Sequence, residues 1–125
     1  MSTATSTTQD VAALDKALNN QILTGDIMGA FEKFYAPDVV MQENSAEPFI
    51  GKEVNRKREQ EFVNSIEAFH GASVVGSAIT GDLSYSEWTM DVTFKGGIRV
   101  QMAQVAARRW KNGQIVNERF YYNKG

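Results

Sequence analysis

An α+β fold, with three N-terminal helices packed on a curved, mainly antiparallel sheet in the shape of a cone, is what this 125-residue chain predicts. Two observations carry the prediction. Apolar residues recur at helical spacing over the first half, whereas residues 72 to 79, 82 to 94, 98 to 110 and 114 to 122 alternate apolar and polar as consecutive strands. A further short alternating stretch, residues 38 to 43, falls before the third helix and adds a strand to the same sheet.

The helices follow from their punctuation. Asp10 is placed to cap a helix over residues 11 to 24, in which Val11, Leu14, Leu18 and Ile22 share a face and Gly25 supplies the stop. Asp26 caps a short second helix carrying Ile27, Phe31, Phe34 and Tyr35, and Pro37 forbids its continuation. The segment from Asn44 to Gly51, which contains Pro48, reads as loop, and a third helix spans residues 52 to 69. Its first half, Lys52 to Glu61, is nearly all charged or polar and reads as a solvated face. Phe62, Ile66 and Phe69 form its buried stripe, with His70 capping the exit.

Composition narrows the function. With 42% hydrophobic and 22% charged residues, the chain has the usage of one globular domain over residues 10 to 125, behind a short disordered lead over residues 1 to 9. A formal net charge of -2 offers no basic footprint for nucleic acid or anionic membrane. There is no cysteine, so disulfide and thiolate chemistry are excluded, and a lone histidine gives no cluster for a zinc site. No metal and no cofactor are expected. Met1 to Asp10 has neither a basic region nor an apolar core of a secretory signal, and no apolar run approaches membrane-spanning length, which points to a cytoplasmic protein.

Hairpin geometry decides which strand residues share a face. A three-residue loop, Lys95-Gly96-Gly97, sets Phe94 opposite Ile98, Val92 opposite Val100, Met90 opposite Met102 and Trp88 opposite Gln104. The Asn112-Gly113 dipeptide admits either a two-residue turn or a three-residue loop with Gly113 as a bulge, and the two predict opposite faces for the last strand. The three-residue loop gives one continuous apolar face and sets Glu118 opposite Ala106, Phe120 opposite Gln104 and Tyr122 opposite Met102. A carboxylate and a carboxamide then point at a wall of Trp, Phe, Tyr and Met, the pattern of a binding pocket. The other face carries Glu87, Thr89, Asp91, Arg99, Gln101, Ala103, Val105, Ala107 and Arg119. Its small, weakly polar centre suits sheet-on-sheet pairing in a homodimer.

The order of elements, the run Phe34-Tyr35-Ala36-Pro37-Asp38-Val39-Val40 followed by Gly51 and a charged helix, and the ending Arg109-Trp110-Lys111-Asn112-Gly113-Gln114-Ile115-Val116 resemble the nuclear transport factor 2-like (cystatin-like) superfamily. The likeness covers about residues 10 to 122 and is nearest to SnoaL-like domains, which group polyketide cyclases and relatives of ketosteroid isomerase. The resemblance implies that Glu43 stands where ketosteroid isomerase has its catalytic Asp base. It also implies that Leu18 and Ala106 stand where that enzyme has its two oxyanion donors. Loss of one such donor costs about 10²- to 10³-fold in rate, so the resemblance implies a cyclase-type aldol closure or an isomerisation of an already acidic carbon.

Glu43 and Glu118 are therefore the candidate bases, and Gln104 and Tyr122 the candidate oxyanion donors. Met41, Trp88, Met90, Met102, Ala106, Arg108 and Phe120 are the candidate ligand contacts. The competing structural readings are a solvated Glu43 at its strand end and an ion pair between Glu118 and Arg108. At the level of function, a cofactor-independent isomerase or cyclase of a small apolar carbonyl compound stands against a non-catalytic module that binds a ligand or a protein.

Overall fold

The computed structural model describes residues 8–123. Three helices, α1 (Thr8–Leu23), α2 (Ile27–Phe34) and α3 (Lys52–Ser65), lie on one sheet of six strands: β1 (Tyr35–Glu43), β2 (Phe49–Ile50), β3 (Ile66–Thr80), β4 (Leu83–Phe94), β5 (Ile98–Lys111) and β6 (Gln114–Tyr121). The strand order is β2-β1-β6-β5-β4-β3. Only β1 and β6 run parallel; the remaining neighbours are antiparallel. The predicted α+β cone is the architecture observed. Most of the lead expected over residues 1 to 9 lies outside the described residues.

Helix α1 begins at Thr8, so Asp10 stands within its first turn rather than at the position before it. It stops where expected, with Gly25 at φ 95° donating its N–H to the Ile22 carbonyl at 2.9 Å. Asp26 caps α2 by accepting the Gly29 N–H at 3.0 Å. Tyr35, read as the last residue of that helix's stripe, is already extended and opens β1, where it sits beside Ile115 of β6. Pro37 bars the helix from running on, because it biases Ala36 out of the helical region and offers no N–H to a further turn.

Helix α3 is shorter than its predicted span and ends at Ser65. From Ile66 onward the chain pairs with β4, Ile66 beside Phe94 and Phe69 beside Val92, and that ladder outweighs the weak helical stripe. His70 therefore stands on a strand, its Nε2 2.7 Å from Thr93 Oγ1, rather than at a helix exit.

Every predicted pair between β4 and β5 is present. The β5–β6 hairpin differs. Asn112 and Gly113 have φ of 53° and 80°, and Lys111 faces Gln114, which is the two-residue turn. A bulge at Val116 then shifts the register, so Glu118 faces Arg108 and Phe120 faces Ala106. The bulge restores the predicted face but moves each pair by two residues. Because Gly113 needs a left-handed backbone, Gly113→Ala is expected to cost about 1–2 kcal/mol, read as a lower urea midpoint at constant slope.

The closed end of the cone is the hydrophobic core. Val11 and Leu18 of α1, Phe31 and Phe34 of α2, and Val39, Met41, Trp110 and Ile115 of the sheet are all buried there. Trp110 meets Phe34 edge-on at 6.2 Å between ring centroids. No described helix is long and apolar enough to cross a membrane.

Candidate functional site

Beyond this plug the cone stays open. A cavity of about 670 Å³ lies between the helices and the inner face of β4, β5 and β6. Phe31, Phe62, Trp88, Met90, Met102 and Phe120 form its apolar wall. Glu43, Arg58, Glu59, Gln104, Arg108, Glu118 and Tyr122 supply its polar groups. Its volume lies within the range of small-molecule sites.

Arg108 organises the deep end. Its Nε donates to Glu118 Oε2 at 2.8 Å, and its Nη1 donates to Asp15 Oδ1 at 2.7 Å and Asn19 Oδ1 at 2.8 Å. All three charged groups are almost wholly buried. The other Glu118 oxygen accepts from the Tyr35 hydroxyl at 2.6 Å. Asp15 also accepts from Ser84 at 2.8 Å and Ser86 at 2.6 Å. Against the desolvation of burial, the Arg108 charge and these hydroxyl bonds hold the Asp15 carboxyl below its usual value. Burial and the neighbouring Glu118 charge push the Tyr35 phenol well above its usual value, so it stays a hydrogen-bond donor.

The sequence foresaw Arg108 and Glu118 but missed Asp15. The signal was present, since Val11, Asp15, Leu18, Asn19 and Ile22 fall on one helical face and two of the five are polar. A carboxylate and a carboxamide inside an apolar stripe call for a buried partner.

At the rim, Glu43 accepts from the Tyr122 hydroxyl and from Arg58 Nη2, each at 2.5 Å. Forty per cent of its side chain remains exposed, so it is both partnered and partly solvated. Arg58 lies over the Phe49 ring at 3.8 Å, which holds the guanidinium beside the cavity.

Glu59 was not foreseen. It belongs to the charged run read as a solvated face, yet Asn55, Glu59 and Phe62 follow one another at helical spacing on the inward side of α3. Asn55 is fully buried, and Glu59 lines the cavity. Burial, with the charges of Glu118 and Glu43 acting against Arg58, raises the Glu59 carboxyl to about 7. Among the described residues it has no hydrogen bond and no ion pair.

Two of the predicted ligand contacts do not reach the cavity. Met41 is fully buried in the core cluster with Val11, Leu18, Phe31, Phe34 and Trp110. Ala106 is fully buried opposite Phe120 in the β5–β6 ladder. Leu18 likewise belongs to the core. Trp88, Gln104, Arg108, Glu118 and Tyr122 do line the cavity. No group of three His, Cys, Asp or Glu among the described residues is placed to hold a metal ion.

A cone of three helices on a six-stranded mixed sheet, open at one end and lined by carboxylates, defines the nuclear transport factor 2-like class. The chain belongs to the SnoaL-like domain family, whose profile matches residues 6–122. It is 36% identical to a proposed SnoaL-like polyketide cyclase of Mesorhizobium loti, also described as a carbohydrate phosphatase. That match has a TM-score of 0.80 and covers 90% of this chain and 98% of that one. A proposed SnoaL-like polyketide cyclase from Jannaschia sp. CCS1 shares the fold at 12% identity, with a TM-score of 0.75 over 89% of this chain and 86% of the other. The comparison with curated proteins found no match.

Proposed function

We propose that this protein binds a small, largely apolar carbonyl compound in the cone and moves a proton on it without a cofactor, as an isomerase or cyclase, with Glu59 as the base. One observation carries the reading. Of the three carboxylates on the wall, Glu43 and Glu118 each have both oxygens occupied, whereas Glu59 is without such partners among the described residues and titrates near neutrality. A base works best when its pKa lies near the working pH. Glu59 takes the proton from the carbon next to the carbonyl, the carbonyl oxygen gains the charge as an enolate, and the Glu59 acid returns the proton to the new position. Gln104 can donate to that oxygen. The Tyr122 proton is already directed at Glu43, which leaves Gln104 the better placed of the two candidate donors.

The likeness to polyketide cyclases supports the same class of chemistry, since ring closure of a polyketide begins with loss of such a proton. 2-Tetralone is a suitable probe, being apolar, bicyclic and acidic beside its carbonyl. Saturable exchange of its α-hydrogens for deuterium, followed by proton NMR in D₂O, is the expected result. If 2-tetralone binds and no exchange above the buffer rate occurs, the chain is a ligand-binding module.

The outer sheet face supports a homodimer. Tyr121 pairs with Val105 and Tyr85 with Ala107, so two exposed aromatic rings border the small centre around Ala103. Two such faces can pack as aligned sheets. Light scattering at micromolar concentration is expected to give twice the chain mass; a mass of 13.9 kDa would count against the dimer.

A further inference from the structure

We propose that the indole N–H of Trp88 and the carboxamide of Gln104 together form the seat of the ligand's acceptor oxygen, so that the cone selects compounds by a ketone or enolate oxygen placed against the β4–β5 wall. The inference rests on the reading of the cone as a carbonyl-compound site and names the pair that would fix its orientation.

Trp88 Nε1 is the buried side-chain nitrogen that has no hydrogen-bond partner among the described residues. Only 3% of Trp88 is exposed, and the residue forms part of the cavity wall. Such a group is unusual. Buried donors in folded proteins nearly always find an acceptor, because leaving one unpaired forfeits its solvation with no return. The same sheet shows how this chain treats its other indole: Trp110 Nε1 donates to Ser84 Oγ at 2.9 Å. Trp88 has no equivalent arrangement. Val74, its neighbour across the β3–β4 ladder, carries no side-chain acceptor. The nearest inward hydroxyl on its own strand, Ser86, is directed at Asp15.

Gln104 lies directly opposite Trp88 in the β4–β5 register and also lines the cavity. Its side chain makes no hydrogen bond among the described residues. Two uncommitted N–H donors thus stand side by side on one pair of strands, with Met90, Val100 and Met102 on one side of them and the committed Arg108 on the other. An oxygen with two lone pairs satisfies both donors at once. A hydrocarbon of the same shape satisfies neither, and a site with unpaired donors rejects it. Positioning the oxygen here also places developing enolate charge against the two donors, the Trp88 indole, buried in the free protein, turning to present its N–H as the ligand seats.

The experiment uses the full chain and a matched pair of probes, 2-acetylnaphthalene and 2-isopropenylnaphthalene, which differ by an oxygen in place of a methylene. Titration calorimetry of the wild-type protein is expected to show at least about tenfold tighter binding of the ketone. That preference should collapse in Trp88→Phe and shrink in Gln104→Leu. In ¹⁵N–¹H spectra, the indole resonance absent from Trp88→Phe should move downfield with the ketone and not with the hydrocarbon, while that of Trp110 stays in place. Equal affinity for the two probes, or an unmoved Trp88 resonance with the ketone bound, would overturn the proposal and leave the cone a binding site. Binding of neither probe would overturn both this proposal and the reading of the cone on which it rests. The wild-type comparison needs no variant, so a misfolded substitution does not spare the inference.

Discussion

Arg108→Leu is expected to destabilise the protein by about 3–5 kcal/mol, measured by urea unfolding at pH 7, the largest loss from any single change at this site. The reason is the charge left behind. Arg108, Asp15 and Glu118 have 2%, 2% and 0% of their side chains exposed. Remove the guanidinium and two carboxylates remain in the interior with hydroxyl partners but no cation. The loss should depend on pH in a defined direction. In the wild type the Asp15 carboxyl is held below its ordinary 3.8, so its contribution is fully present above that pH and fades as the pH falls through the lower folded value. In Arg108→Leu the Asp15 carboxyl loses the charge that lowers it and protonates more readily, so the deficit should be smaller at pH 5 than at pH 8. A variant within about 1 kcal/mol of the wild type at pH 7 would mean that the buried pairings contribute only what exposed ones do.

That deep cluster also shows where sequence reasoning reached and where it stopped. Strand pairing from Leu83 to Arg109 was legible because a glycine-rich three-residue loop and matched apolar residues leave a single register. The face of β6 was legible for the same reason, since only one parity buries Glu118 and Phe120 beside the apolar wall. The pairing within that face was not. A bulge costs little and leaves alternation intact on both sides, so Val116 gives no sign that it is the extra residue. Glu118 consequently meets Arg108, one side-chain step from Ala106. Asp15 and Glu59 were hidden differently. Each is a charged residue on a helix, where solvent is the usual destination, and its inward position follows only from the phase set by Val11 and Leu18 or by Asn55 and Phe62. That phase is strong in α1, with its regular apolar stripe. It is weak in the first half of α3, where Asn55 is the one buried residue and is itself polar.

Glu59→Gln should separate stability from activity. The substitution is expected to lower exchange of 2-tetralone by about 10²- to 10⁴-fold with its dissociation constant close to the wild-type value, because the amide keeps the shape and loses the base. Wild-type exchange should rise with pH through a midpoint of about 7 and then level off, since only the ionised form accepts a proton. Burial sets most of that midpoint, and the Glu118 and Glu43 charges add to it. Glu43→Gln should therefore move the midpoint down. Stability runs the other way. A carboxyl that is harder to ionise in the folded state than in the unfolded chain stabilises fully below 4.5, and its contribution is lost as the pH climbs to about 7. Above that pH the wild type holds an ionised group in a place that resists ionisation, whereas the amide does not. Glu59→Gln should thus be the more stable protein at pH 8, by on the order of 2 kcal/mol, and the less active one. A loss of exchange accompanied by a loss of stability at pH 8 would make Glu59 a structural residue. Exchange that survives in Glu59→Gln and disappears in Glu43→Gln would transfer the base to the rim.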